Sequence, residues 1–143
     1  MRRQIFLTSA LLFAGSISSA QTQRAEAYKN PMIVAEGELI YDGACASCHG
    51  ANLEGQPDWR QPGPDGKLPA PPHDITGHTW HHPIEQLFAV TKYGTEALVG
   101  GNYKSDMRGF EDELTDAQIK AVLAYIKSTW PEEVQTRHSA MSQ

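Results

Sequence analysis

The two cysteines of this chain and the histidine beside them are the residues best able to do chemistry. Cys45 and Cys48 are its only cysteines, and His49 follows the second one directly. Two thiols at this spacing can each add across a vinyl group on one edge of a porphyrin, and the adjacent imidazole is then carried under the iron as proximal ligand. Cys-x-x-Cys-His is the pattern of covalent haem c attachment. The motif therefore predicts one haem c per chain.

Three other interpretations of the cysteine pair stay open at this point. A thioredoxin-like Cys-x-x-Cys belongs in a βαβ context, and the sequence shows no such context. A small disulfide loop, or a chance cluster, is the plainer alternative. Haem attachment is the interpretation that requires all three residue types in this order.

The amino-terminal segment has the three parts of a secretory signal peptide. Residues 1–4 are a basic head, residues 5–15 are mostly apolar, and residues 18–20 are small. The apolar run is shorter than the roughly 18 residues of a membrane-spanning helix. We therefore expect cleavage after residue 20 and a periplasmic protein, with an uncleaved membrane anchor as the alternative. Export fits haem c, because its attachment takes place outside the inner membrane.

Composition limits the possible partners. Without residues 1–20, the remaining 123 residues suffice for one small domain, and 10 basic residues against 17 acidic ones leave a net charge of −7. An acidic exported protein is a poor candidate for binding nucleic acid. It suits a basic patch on a partner protein, with an attraction that salt weakens. So small a chain has limited core area, and a buried porphyrin would supply missing apolar surface.

Three segments have the hydrophobic spacing of helices. The first begins with Asn30 as N-cap, followed by a proline, and leads directly into the cysteine motif. The second covers about residues 83–92. The third begins with a capping box formed by Thr115 and Gln118 and ends before Pro131. The chain is therefore predicted to be largely helical, with long loops between the helices.

One glycine inside the first helix indicates a close helix contact. Gly37 lies in the helix interior, where glycine costs about 1 kcal/mol relative to alanine. Such a residue is expected where a second helix approaches closely. Tyr41, one turn further along, is predicted to lie at the same contact.

Residues 50–82 are rich in proline and glycine and exclude a long helix or a central strand. A stretch of this length is expected to wrap the edge of the haem. It also has free backbone carbonyls. The iron-bound His49 should donate its second ring N–H to one of them, and a carbonyl within residues 69–72 is the predicted acceptor.

Four histidines and Trp80 lie near the end of this loop. Such a cluster can bind zinc or copper, supply another axial ligand, bond the haem propionates or cap the next helix. Its spacing matches no standard Cys/His zinc pattern. The indole N–H of Trp80 is a possible propionate donor. The four histidines are His73, His78, His81 and His82.

Only one methionine is well placed to bind the second face of the haem. Met1 belongs to the predicted signal peptide, Met32 lies at the start of the first helix, and Met141 is near the end of the chain. Met107 is in a loop before the third helix and is the predicted distal ligand, with a gap-filling core methionine as the alternative. A His/Met pair raises the reduction potential and leaves no open iron position.

This order of helices, motif, loops and methionine resembles class I cytochrome c over roughly residues 31–130. The resemblance implies an all-α fold in which three main helices and long loops surround one covalently bound haem. It assigns Cys45 and Cys48 to covalent attachment, His49 to the proximal position and Met107 to the distal one. It also implies that Gly37 and Tyr41 meet Tyr125 of the last helix. Many relatives have proline after the methionine, and Arg108 stands there instead, which leaves the stiffness of this loop open.

The predicted organisation is a signal peptide at 1–20, a polar lead-in at 21–30, a cytochrome c domain at 31–131 and a flexible tail at 132–143. We expect a periplasmic electron carrier, without catalytic residues, that serves a redox protein as donor and another as acceptor. Membrane contact is expected only through docking to a membrane redox complex or an uncleaved anchor. The alternatives are a haem enzyme or gas or redox sensor with a dissociable distal ligand, and a copper-handling haem protein that uses the histidines of residues 73–82.

Overall fold

The computed structural model describes residues 26–141. Its six α-helices, in chain order, are α1 (Pro31–Ala44), α2 (Ala46–His49), α3 (Ile84–Tyr93), α4 (Thr95–Val99), α5 (Asp116–Ser128) and α6 (Glu132–Met141). Single 3-10 turns lie at Ala27–Lys29 and Thr79–His81. The all-α fold is confirmed, and the three predicted helices are α1, α3 and α5.

None of the helices in residues 26–141 has the length and hydropathy needed to cross a bilayer. The predicted signal peptide at 1–20 lies outside the described residues.

The helix ends follow from local sequence. The side chain of Asn30 accepts a hydrogen bond from the backbone N–H of Met32, and proline occupies the first position of α1. Thr115 and Gln118 form the reciprocal capping box at the start of α5. Helix α3 ends at Gly94, whose φ of 84° is a conformation that other residues rarely adopt. These predicted boundaries are confirmed.

Helices α1 and α5 cross at Gly37. A Cβ atom at Gly37 would lie 2.0 Å from the carbonyl oxygen of Ala121, so only glycine permits this approach. One turn along, the rings of Tyr41 and Tyr125 meet with centroids 5.5 Å apart. The hydroxyl of the fully buried Tyr41 donates to the carbonyl of Gly50 at 2.9 Å. The helix crossing is therefore connected directly to the end of the cysteine motif.

The long loop after α2 folds back onto the segment next to the motif. The N–H of Gly55 donates to the carbonyl of His49 at 2.7 Å, and the N–H of His73 donates to the carbonyl of Leu53 at 2.8 Å. Gly55 has a φ of 68°, and a Cβ atom there would lie 2.4 Å from the nitrogen of Pro72. The loop is thus fixed against residues 49–55 and brings its prolines beside His49.

The structure corrects two predictions about loops. Residues 94–113, predicted to be a loop throughout, contain α4. The predicted flexible tail at 132–143 is wrong over residues 132–141, which form α6 with Val134 and His138 buried. Helix α6 packs on the turn at Thr79–His81, and Nε2 of His138 lies 2.9 Å from the carbonyl of His82. Because only these two side chains of α6 are buried, its sequence has too few apolar residues to predict a packed helix.

Candidate functional site

The cysteine motif forms one short helix at the end of α1. Cys45 is the N-cap of α2, and Cys48 and His49 lie within it. Residues three apart in a helix share a face, so the two thiols lie one turn apart on the same side. Cys45 is half-buried, Cys48 is exposed, and both are free thiols rather than a disulfide. Burial and the neighbouring Cys48 raise the pKa of Cys45 to about 11, which keeps its thiol protonated.

His49 is buried, with 6% of its surface exposed, and its ring is held by the long loop. Its Nδ1 lies 2.8 Å from the carbonyl oxygen of Pro71. A carbonyl only accepts, so Nδ1 carries the proton and the Nε2 lone pair is left for another bond. Burial lowers the pKa of His49, although the bond to Pro71 opposes this, and the neutral form is favoured. The predicted carbonyl acceptor within residues 69–72 is confirmed and is that of Pro71.

These groups fit a covalently held haem c. Cys45 and Cys48 supply two free thiols on one helical face, and His49 supplies a neutral imidazole whose metal-binding tautomer is already set. A metal-bound histidine normally donates its other ring N–H to a carbonyl or carboxylate in this way. The donor set is therefore complete on the proximal side.

Met107 lies half-buried in the loop between α4 and α5. Its carbonyl accepts from the N–H of Thr95 at 3.0 Å, and its own N–H donates to Oγ of Ser105 at 3.1 Å. A Cβ atom at Gly94 would lie 2.7 Å from the nitrogen of Gly109, so the loop approaches the junction of α3 and α4 very closely. The sequence predicted Gly94 only as a helix end. Ligation by Met107 stays a prediction, but its backbone is firmly held.

Arg108, at the position where many proteins of the resembling family have proline, is fixed by other contacts. It forms an antiparallel backbone bridge with Gly94. Its guanidinium lies 4.5 Å from the ring centre of Phe110 and pairs with the carboxylate of Glu113. An exposed ion pair contributes little to stability, so the backbone bridge is the more important restraint. The loop beside Met107 is therefore tethered without proline.

The described residues gather no metal-binding cluster around the loop histidines. Within residues 26–141, no three His, Cys, Asp or Glu side chains are arranged to hold a metal ion. The histidines instead pack against different aromatic partners: His73 on His49, His78 on Trp59 and His82, and His81 on Trp80.

Two polar groups of this loop are candidates for contact with a propionate. The indole N–H of Trp80 faces the carbonyl of Ile75 at 3.4 Å, which is a long hydrogen bond. Nδ1 of His78 is buried and has no hydrogen-bond partner in the described part of the chain. A buried polar atom normally has a partner, so His78 has the stronger reason to meet another group. The role predicted for Trp80 stays a prediction.

Comparison with known proteins identifies one related family. The model of the family described as Cytochrome c matches residues 34–130, or 97 of the 143 residues. This range includes the cysteine motif, Pro71 and Met107, and it ends just before α6. Comparisons with curated proteins and with solved structures find no match.

Proposed function

Because this chain belongs to the cytochrome c family, we propose that it is a periplasmic electron carrier with His49 and Met107 as axial ligands. Its haem c, attached through Cys45 and Cys48, supplies a one-electron iron couple. The observation that carries the proposal is the 2.8 Å hydrogen bond between Nδ1 of His49 and the carbonyl of Pro71. This bond fixes the tautomer that a proximal ligand requires and strengthens the imidazole as a donor.

The residues around both proposed ligands restrict movement. Pro71 holds the ring of His49, while Thr95 and Ser105 hold the backbone on both sides of Met107. A side chain that keeps its position in both oxidation states adds little reorganisation to electron transfer. The restraints on the two loops thus support a carrier rather than an enzyme that exchanges ligands.

The two loops that carry these restraints are also joined to each other. Lys67, in the long loop, forms an ion pair with Asp106, the residue before Met107. Such an exposed pair contributes little energy on its own, but it lies where the Pro-rich loop meets the methionine loop. The contact supports an arrangement in which both loops belong to one site.

The surface supports exchange of electrons by protein contact. Cys48 is exposed, so the haem edge attached to it lies at the surface. Electrons can enter and leave there without a substrate pocket. A net charge of −7 without residues 1–20 favours donor and acceptor redox proteins with basic contact surfaces. Cleavage of residues 1–20 would release the carrier into the periplasm, and a mature chain that begins at Gln21 is the expected product.

Carbon monoxide binding tests the proposal against a gas-binding or catalytic haem protein. We expect the ferrous unmodified protein to bind carbon monoxide slowly or not at all, because Met107 occupies the sixth position. Met107→Ala should bind it rapidly. Met32→Ala is the matched control, since Met32 is 81% exposed on α1, and it should behave like the unmodified protein. Rapid binding by the unmodified protein would contradict the carrier function.

A further inference from the structure

The ring of His73 lies almost flat against the ring of His49. Their centroids are 4.0 Å apart and their planes differ by 25°. Rings at this distance are in contact, so neither can turn about its side-chain bonds without displacing the other. His49 is therefore restrained at one nitrogen by Pro71 and over one face by His73.

His73 is itself fixed from three directions. Its Nδ1 lies 2.7 Å from the hydroxyl oxygen of Thr79. Its backbone N–H donates to the carbonyl of Leu53 at 2.8 Å. Its carbonyl accepts from the indole N–H of Trp130 at 2.8 Å, a bond that joins residues 57 positions apart. Two of these bonds hold the backbone of His73 and the third holds one edge of its imidazole, so the ring keeps its place beside His49.

His73 and the acceptor of the His49 hydrogen bond belong to one short segment. Pro71 precedes His73 by two residues, and Pro72 between them limits the backbone through its ring. A displacement of His73 would therefore move the Pro71 carbonyl as well. An aliphatic side chain could fill the same volume, but it would offer neither a flat face to His49 nor a polar edge to Thr79.

We propose that His73 is a positioning residue for His49, setting the plane of its imidazole and the alignment of its hydrogen bond to Pro71. This inference rests on the proposed ligation by His49. A well-aligned N–H···O=C bond makes the imidazole a stronger donor, which favours the oxidised iron. Loss of His73 should therefore weaken the donor and raise the reduction potential.

Three variants separate positioning from simple packing. His73→Leu removes the flat ring and its polar edge. Thr79→Val removes the hydrogen-bond partner of the ring but keeps the ring, and Gln61→Leu changes an exposed residue of the same loop as control. The readouts are the spread of the haem methyl resonances in the oxidised protein, which reports the imidazole plane, and the midpoint potential. We expect a changed spread and a higher potential in His73→Leu, a smaller change of the same sign in Thr79→Val, and none in Gln61→Leu.

A purely structural role for His73 would give a different result. Its loss would then lower the unfolding temperature but leave the methyl spread and the potential as they are, and that result would overturn the inference. If His73→Leu does not yield haem-loaded protein, Thr79→Val decides by the same two readouts. Failure of the proposed ligation is seen separately, because the unmodified protein would then lack the low-spin spectrum of a His/Met iron.

Discussion

At the scale of single residues, Gly37 determines whether the two longest helices can meet. Its missing Cβ would lie 2.0 Å from the carbonyl oxygen and 2.6 Å from the carbonyl carbon of Ala121. Both atoms belong to the backbone of α5 and cannot turn aside as a side chain can. Gly43 lies in the same helix, and a Cβ there would meet nothing within 4 Å.

We therefore expect Gly37→Ala to lower the free energy of unfolding by about 2 kcal/mol or more, because α1 must move away from α5. Gly43→Ala, the matched control, should raise it by up to about 1 kcal/mol through helix propensity alone. Denaturant titration of the haem-loaded proteins measures both values. Equal effects of the two substitutions would show that α1 and α5 do not meet at Gly37.

The residue scale also shows how far the sequence could predict the site. Cys45, Cys48 and His49 form a local motif, and the chemistry of a bound histidine requires an acceptor, so the Pro71 contact could be anticipated. The stacking of His73 on His49 could not. It depends on Trp130, 57 residues further on, and no local pattern shows which way such a ring will face.

At the scale of elements, α6 is an addition outside the range that matches the family. Its buried His138, 1% exposed, lies with Nε2 2.9 Å from the carbonyl of His82 and with its ring edge on Trp130. Nδ1 is buried and has no partner among the described residues. Lys127 and Glu85 are the charged groups that face the ring, with opposite effects on its protonation.

Docking of α6 should weaken in acid. Burial, and secondarily Lys127, lower the pKa of His138 from an ordinary value of 6.5 to about 4. The unfolded chain then binds a proton between these two values and the folded chain does not. The contribution of neutral His138 to the free energy of unfolding is complete above about pH 6.5 and is lost as the pH falls toward about 4. Between pH 7 and pH 5 the free energy of unfolding should fall by about 2 kcal/mol.

The measurement is the free energy of unfolding of the unmodified protein and of His138→Gln at pH 7 and pH 5. Glutamine can donate to the carbonyl of His82 but does not titrate. Other histidines contribute to the pH dependence of both proteins, so the difference between them isolates His138. We expect the variant to lose about 2 kcal/mol less over this range, and identical pH dependence would contradict the account of α6.

The helices that the sequence predicted are determined by signals within their own residues. The helices that it missed lack such signals. Helices α1, α3 and α5 have caps or stop residues and apolar stripes within their own sequences. Helix α4 is five residues long, too short for a periodic pattern. Helix α6 buries Val134 in the hydrophobic core and bonds His138 to the carbonyl of His82, 56 residues earlier, and these partners are set by the tertiary fold.

At the scale of the whole molecule, the core is small and lies next to the site. Half of its buried hydrophobic cluster comes from α5, and half-buried Cys45 packs against it; the other members are Tyr41, Leu53, Trp130 and Val134. A covalently attached porphyrin adds apolar surface to such a core. A chain of this size has little other surface to offset the entropy of ordering its long loops.

We therefore expect the double substitution Cys45→Ala and Cys48→Ala, which prevents attachment, to leave the protein largely unfolded. Circular dichroism during heating measures this as the absence of a cooperative transition. Gly43→Ala is a matched control, because a Cβ atom there meets nothing within 4 Å and both thiols and His49 are kept, and it should melt cooperatively. A cooperative transition in the haem-free double variant would show that the polypeptide core suffices.

The central claim is that His49 and Met107 together make this molecule an electron carrier. The most direct test is the methionine-to-iron charge-transfer band, at the red end of the visible spectrum of the oxidised protein. We predict that this band is present in the unmodified protein and in Met32→Ala, and that it disappears in Met107→Ala together with a fall in reduction potential. A band that persists in Met107→Ala, or that is missing from the unmodified protein, would contradict the account.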